Sequence, residues 1–368
     1  MASRKSLSRL FERRVLVAVA CAALTGFQAT YVVGADTPQV LNETSMLSHK
    51  ASKSVLLSVA RAGDRIVAVG ERGIVLLSDD AGKTWRQAKV PVSVSLTAVQ
   101  FVDPSHGWAV GHLGVVLHTE DGGETWVKQL DGIAAVEALV DYAKNDPNVQ
   151  DRERAIKDSE WMLADGPDKP FLDLYFADKS NGFIVGAYGL LFKTSDGGKT
   201  WMPWASHISN PSNLHLNAIS ASGGKLYIAG ERGLLLRSLD GGASFETLKS
   251  PYEGSYFGIV AAKTGELVVF GLRGKAFWSA DNGSTWVPIE IKTDAAIASG
   301  TELSDGSLLM VSQVGELFVN DPRSSKFRNL SWRGVGSTSD VVEMRTGELS
   351  IVGLHGVENA LIKSSVAR

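Results

Sequence analysis

The sequence predicts an all-β fold. It reads as a single seven-bladed β-propeller of four-stranded antiparallel blades, with a helical hairpin inserted between blades 2 and 3. Three observations carry this reading. The stretch GHLGVVLHTEDGGETW at residues 111–126 recurs as GERGIVLLSDDAGKTW from Gly70, GAYGLLFKTSDGGKTW from Gly186, GERGLLLRSLDGGASF from Gly230 and GLRGKAFWSADNGSTW from Gly271. Degenerate copies begin at Ser312 and Gly353, and the steps between copies are 41, 75, 44, 41, 41 and 41 residues. A period in the low forties with short strands between Gly-rich turns is how a propeller blade is written in sequence, because each unit buries its faces only against its neighbours. The 38 glycines fit a fold dense in tight turns, and the 9 tryptophans fit a repeat that sets one bulky ring in most units.

Residues 1–35 read as a signal peptide and are set apart from the fold. Arg4, Lys5, Arg9, Arg13 and Arg14 make a basic start, residues 15–24 are a short apolar run, and Val33-Gly34-Ala35 offers small residues for cleavage before Asp36. The apolar run is too short to span a bilayer comfortably. Cys21, the single cysteine, is either a small apolar residue of this run or a lipidated residue after an imperfect lipobox, Ala18-Val19-Ala20-Cys21. The pair Arg13-Arg14 raises twin-arginine export as another route. Cleavage at Ala35 leaves a net charge of −7, against −3 for the whole chain, and no cysteine. That composition excludes disulfides and gives no support for nucleic-acid binding.

Residues 36–368 then form the propeller. In blade 2 the strands A to D are expected at 96–101, 108–111, 115–119 and 126–130. Blade 7 has candidates for A, B and C at 340–344, 349–353 and 359–363, and too few residues for D. Residues 39–46 precede the first A strand and are free to supply it, which would close the ring by pairing the two ends of the chain. The insertion at 131–169 has a different composition. Ile133, Val136, Leu139, Val140 and Ala143 recur at helical spacing, Asn145-Asp146-Pro147 breaks the run, and 151–163 reads as a second, more charged helix.

Within each repeat, Ser/Thr-x-Asp-x-Gly-x-Thr-Trp resembles the Asp-box, or bacterial neuraminidase repeat. Its aspartates are Asp80, Asp121, Asp196, Asp240 and Asp281. A carboxylate in such a turn accepts backbone N–H bonds across the hairpin, and Gly accepts a positive φ. Five carboxylates that repeat with the fold each sit in their own turn, so they read as structural rather than as one catalytic or calcium centre. The longer pattern Phe-x-Asp-x-x-x-Gly-Trp-Ala-Val-Gly, carried by Phe101, Asp103 and residues 107–111, is similar to the photosystem II assembly/stability factor family of exported propellers. That resemblance implies a chaperone-like binder of a nascent membrane subunit in photosynthetic organisms. It implies an association with membrane transport in some other bacteria.

Asp-boxes also occur in sialidases and some endoglucanases, which makes a glycoside hydrolase the alternative. The Arg-Ile-Pro opening of sialidases is absent, the length suffices for one propeller, and the 7 histidines show no metal spacing. No enzyme, cofactor, metal or small-molecule substrate is therefore expected. In a four-stranded meander the Gly-x-x-Gly turns (B to C) and the D-to-A connections share one face. That face carries the candidate partner-binding residues Arg72, His112, Tyr188, Arg232, Arg273 and His355, with Arg72, Arg232 and Arg273 at one repeat position. Glu71 and Glu231 are expected to neutralise two of these arginines. Arg and Tyr are favoured anchors in protein interfaces. The expected partner is a membrane protein complex or its assembly intermediate, met from the periplasmic or lumenal side.

Overall fold

The computed structural model describes residues 37–147, 149, 151–334 and 336–362. The expected signal peptide, Cys21 and Lys363 lie outside the described residues. Seven antiparallel sheets follow one another along the chain, each a meander in sequence order. Strand A of every blade touches strand A of the next, and blade 7 touches blade 1, so the A strands ring a central channel. Blade 2 runs Leu96–Phe101, Gly107–Gly111, Val116–Thr119 and Val127–Leu130, within a residue of the expected bounds.

Alternation explains the core. Along strand B of blade 1, Ile66 and Ala68 pack toward blade 7 while Val67 and Val69 pack toward blade 2. Both faces of each sheet are therefore buried, and strands B and C read as continuous apolar runs instead of alternating ones. Seven apolar clusters result, one in each seam between adjacent blades.

The boxed turns also join the blades. In blade 2, the Thr125 N–H and hydroxyl donate to Asp121 at 2.9 and 2.6 Å, and the Gly123 N–H donates to Thr119 Oγ1 at 3.0 Å. The same set recurs around Asp80, Asp196, Asp240 and Asp281. At Asp80 the Thr84 hydroxyl, then its N–H, hold the carboxyl down at about 2. A carbonyl inside each box then accepts a bond from the preceding blade. Arg65 reaches Gly122 O, Trp108 and Gln129 reach Gly197 O, Trp204 reaches Gly242 O, Arg237 reaches Asn282 O and Asn359 reaches Gly82 O. Blades 6 and 7 lack the box, and there glutamates do the joining. Glu302 accepts from Lys263 N at 3.0 Å and Glu343 from Ser304 N at 2.6 Å.

The ring does not close as the sequence suggested. Blade 7 has three strands, Thr338–Arg345, Glu348–Gly353 and Gly356–Leu361, and residues 39–46 do not complete it. Leu41, in the 3-10 turn Gln39–Leu41, is fully buried between blades 1 and 2. The segment is tied there by Ser93 N to Val40 O (2.8 Å) and Ser45 N to Val90 O (3.0 Å). Anchoring Leu41 in that seam removes this segment from the edge of blade 7, where the 3-10 turn Ala51–Lys53 leans instead. Asp340 ties the closing seam, beside its apolar cluster and the Asn359 bond to Gly82 O. Its carboxylate accepts from Ser58 Oγ and Val59 N of blade 1, both at 2.9 Å, from Ser299 Oγ of blade 6 at 2.5 Å, and from Val341 N at 2.8 Å.

The insertion is a pair of helices, α1 (Gly132–Asn145) and α2 (Arg152–Asp165), each N-capped by an aspartate, Asp131 and Asp151. Ala135, Val136 and Met162 root it in the seam between blades 2 and 3. Asp340→Ala is expected to cost about 2–4 kcal/mol, because it strands two backbone donors in the seam. Asp121→Ala should cost about 1 kcal/mol, since water reaches its exposed turn. Urea unfolding of both variants checks the difference; equal losses would show that Asp340 is not the closing contact.

Candidate functional site: the turn-tip face

Each Gly-x-x-Gly tip follows one construction. The N–H of its first variable residue donates to the carbonyl just before strand A, as in Glu71 N to Val55 O (3.0 Å), His112 N to Ser95 O (2.9 Å) and Glu231 N to His215 O (3.1 Å). Tip and D-to-A connection are thus bonded on one face. A Cβ on Gly111 would stand 2.2 Å from Ser95 O, so only glycine permits this approach. The second variable residue is left-handed, with φ of 51° at Arg72, 54° at Leu113, 55° at Tyr188, 49° at Arg232 and 55° at Arg273. Such angles are uncommon for residues with a Cβ and are held here by the surrounding bonds. Blades 6 and 7 depart from this: their turns place Gly315 and Gly356, not Val314 and His355, at positive φ.

All six candidate residues, Arg72, His112, Tyr188, Arg232, Arg273 and His355, are exposed. They belong to blades 1, 2, 3, 4, 5 and 7 and so are spread around the ring rather than gathered in one cluster. Among the described residues none of the three arginines has an ion-pair partner or a side-chain hydrogen bond. Glu71 and Glu231 do not neutralise them by direct contact. Glu71 instead accepts from Val55 N at 3.1 Å, and Glu231 accepts from His215 N at 3.0 Å and meets the His215 ring at 2.8 Å. The reason is reach: the glutamate precedes the left-handed residue and turns back over the D-to-A connection. Burial opposes ionisation of Glu231, but the His215 N–H and ring, then Arg232, hold it below the usual range.

Two features of this face were not singled out in the sequence. Trp161 of α2, half exposed, stands edge-on to Tyr188 at 5.9 Å, and Tyr188 lies 5.1 Å from the His215 ring. The insertion therefore stands beside the tips of blades 2 and 3, where Gly132 also abuts Gly114. The second feature lies in the channel. Every A strand bulges at its second residue, and Asp173 and Asp340 each follow a bulge in blades 3 and 7. Asp173 accepts from Leu174 N at 2.8 Å and from Ile219 N of blade 4 at 2.9 Å. Both residues are partly exposed, yet protein encloses their carboxyls, and enclosure governs their charge. Burial pushes Asp173 up to about 7 against its two N–H donors, with the Asp340 charge adding to the rise, and Asp340 is likewise raised by burial. No helix among the described residues is long and apolar enough to cross a membrane, and no three of their His, Cys, Asp and Glu side chains are grouped to hold a metal ion.

Comparison with known proteins decides the family. The model of the family described as photosynthesis system II assembly factor YCF48 matches residues 84–159 and 153–335, more than half of the chain. The chain belongs to that family. It is 38% identical over 77 residues to the photosystem II assembly lipoprotein Ycf48 of Synechococcus sp. (strain CC9902), covering 21% of this chain and 23% of the relative. It is 33% identical over 97 residues to the chloroplastic photosystem II stability/assembly factor HCF136 of Oryza sativa subsp. japonica, covering 24% and 23%. The chain thus spans about a quarter of the length of the curated relatives it matches. A solved structure described as YCF48 bound to D1 peptide superposes with a TM-score of 0.61 at 15% identity, over 88% of this chain and 97% of that one. The WD40 propeller domain of Doa1 gives 0.61 at 10% identity over 88% and 97%, so these superpositions speak to the fold alone.

The two carboxylate classes have opposite pH signatures. A carboxyl raised in the folded state takes up a proton on folding, so its stabilising share is full below about 4 and lost as pH rises toward about 7. The wild-type urea midpoint should therefore fall between pH 4.5 and 7.5 by more than that of Asp173→Asn, which does not titrate and whose single carbonyl oxygen accepts one of the two N–H bonds. Parallel pH dependences in the two proteins would refute the assignment.

Proposed function

We propose that this chain is an exported, non-catalytic binding scaffold. Its turn-tip face would hold a segment of a membrane protein complex during assembly or operation. The observation that carries the reading is the repeated left-handed presentation of Arg72, Arg232 and Arg273, exposed and without ion-pair partners among the described residues. A guanidinium presents a fixed fork of donors to carboxylate or carbonyl groups, and one left unpaired on a rigid tip loses little freedom on binding. Tyr188, His112 and His355 complete the rim. Family membership supports the same reading: the named relatives are photosystem II assembly factors, and the YCF48 structure is described with a D1 peptide.

Two finer assignments belong to this proposal. The partner is a photosystem subunit in a photosynthetic host and a membrane transporter otherwise. Export proceeds with cleavage before Asp36, with an acyl chain on Cys21 as the alternative that the lipoprotein relative supports. The test is crosslinking capture from native membranes by wild type and by Arg72→Glu/Arg232→Glu/Arg273→Glu. Wild type is expected to capture one membrane protein, and the folded triple variant to lose it. Undiminished capture by the triple variant removes the tips from the interface. Release of chromophore from aryl-glycosides would replace the scaffold with a glycoside hydrolase.

A further inference from the structure

A groove of about 390 Å³ separates the helical insertion from blade 3 and opens beside Tyr188. Leu139 and Ala143 of α1, Ala155 and Met162 of α2, Leu190 of blade 3 and Ile208 make its apolar walls. This is within the range of sites that enclose a bound group, and apolar wall left facing water is costly. The polar groups at its mouth are engaged with one another. Tyr142 bonds Ser206, Asn213 donates to Asp158 at 3.3 Å, and Arg154 donates to Pro211 O. The groove therefore calls for apolar surface rather than for hydrogen bonds. Charge specifies what flanks that surface. Residues 131–169 carry ten carboxylates against five cations, while the chain as a whole is only −3. Asp151, exposed and capping α2, and Asp158, partly exposed and 3.6 Å from the Arg154 guanidinium, stand at the mouth, where the two carboxylates outnumber that one cation.

We infer that this groove is an anchor pocket for one or two adjacent large apolar side chains of a partner polypeptide, flanked by Lys or Arg that meet Asp151 and Asp158. The volume suits one or two large side chains, and the open side lets a chain continue past Tyr188 onto the tips. The inference rests on the reading of this face as a protein-binding surface and adds a second, chemically distinct contact to it. The insertion sets specificity through an apolar anchor with basic flanks, where the tips offer cations.

Fluorescence anisotropy with the purified protein tests it, using three labelled peptides: Gly-Lys-Leu-Phe-Lys-Gly, Gly-Glu-Leu-Phe-Glu-Gly and Gly-Lys-Ser-Ser-Lys-Gly. The first should bind, and the other two should bind at least about tenfold more weakly, the scale of one buried apolar side chain. Ala155→Trp fills the groove from a partly exposed helical position and should weaken the first peptide by at least about tenfold. Asp158→Lys should weaken the first peptide and spare the second, and this keeps the test alive if the tryptophan variant is unstable. Equal binding of all three peptides overturns the inference. So does full affinity in an Ala155→Trp protein of unchanged melting temperature. Saturation by dodecanoate with no peptide bound assigns the groove to a small amphiphile and also overturns it. The Arg72→Glu/Arg232→Glu/Arg273→Glu variant should keep its peptide affinity. Absent peptide binding by a wild type that still captures its membrane partner therefore refutes the pocket alone, and peptide binding with capture undiminished in the triple variant refutes the tip face alone.

Discussion

A ring of wedges depends on the seam where its last member meets its first, and here one carboxylate spans that seam. Asp340 gathers donors from blades 6, 1 and 7. In the other seams, chain continuity already keeps neighbours close, so apolar packing and a few cross-bonds suffice. Between blades 7 and 1 the chain offers no such help. The contact from Ser58 to Asp340 crosses 282 residues of sequence. Burying a carboxylate is costly, and the cost is tolerable only because every nearby donor is turned toward it.

The boxed turns show how a local motif becomes a global one. Inside each box the aspartate organises its own hairpin, which leaves one carbonyl pointing sideways, and that carbonyl is what the preceding blade grips. The gripping side chain varies among Arg, Trp, Gln and Asn, because only a donor of sufficient length is required. Where the box is lost in blades 6 and 7, Glu302 and Glu343, one repeat apart, bring an acceptor to the same side. A joint between the blades persists there, with both its position and its chemistry changed.

The repeat period made the blades, their count and the face shared by tips and insertion legible before any coordinates, since steps of 41 residues leave room for little else. The two helices were legible too, from the helical spacing of Ile133 to Ala143, the break at Asn145-Asp146-Pro147 and the charged run over 151–163. Closure was not. Residues 39–46 had suitable length for a fourth strand, and nothing in their order revealed that Leu41 would be captured between blades 1 and 2. Asp173 and Asp340 were hidden for a related reason: a bulge sets them in the channel, and bulges leave no mark on the alternation of a buried strand. The neighbourhood of Trp161, Tyr188 and His215 joins an insertion to two blades, so no window along the chain contains it. Glu71 and Glu231 look like charge partners for the adjacent arginines, yet backbone direction turns them onto the D-to-A connection.

The long-range seam also governs when this molecule can become whole. The first six blades can stack as they emerge, each on its predecessor, but Ser58 and Val59 keep an unanswered pair of donors until Asp340 of blade 7 arrives. Contacts of such sequence separation are slow to form, and an unclosed ring leaves apolar flanks of blades 1 and 6 uncovered meanwhile. A chain interrupted before blade 7 would lose far more than one seventh of its structure. It would be an open arc with two sticky ends, prone to find a second arc rather than to wait for its own missing piece.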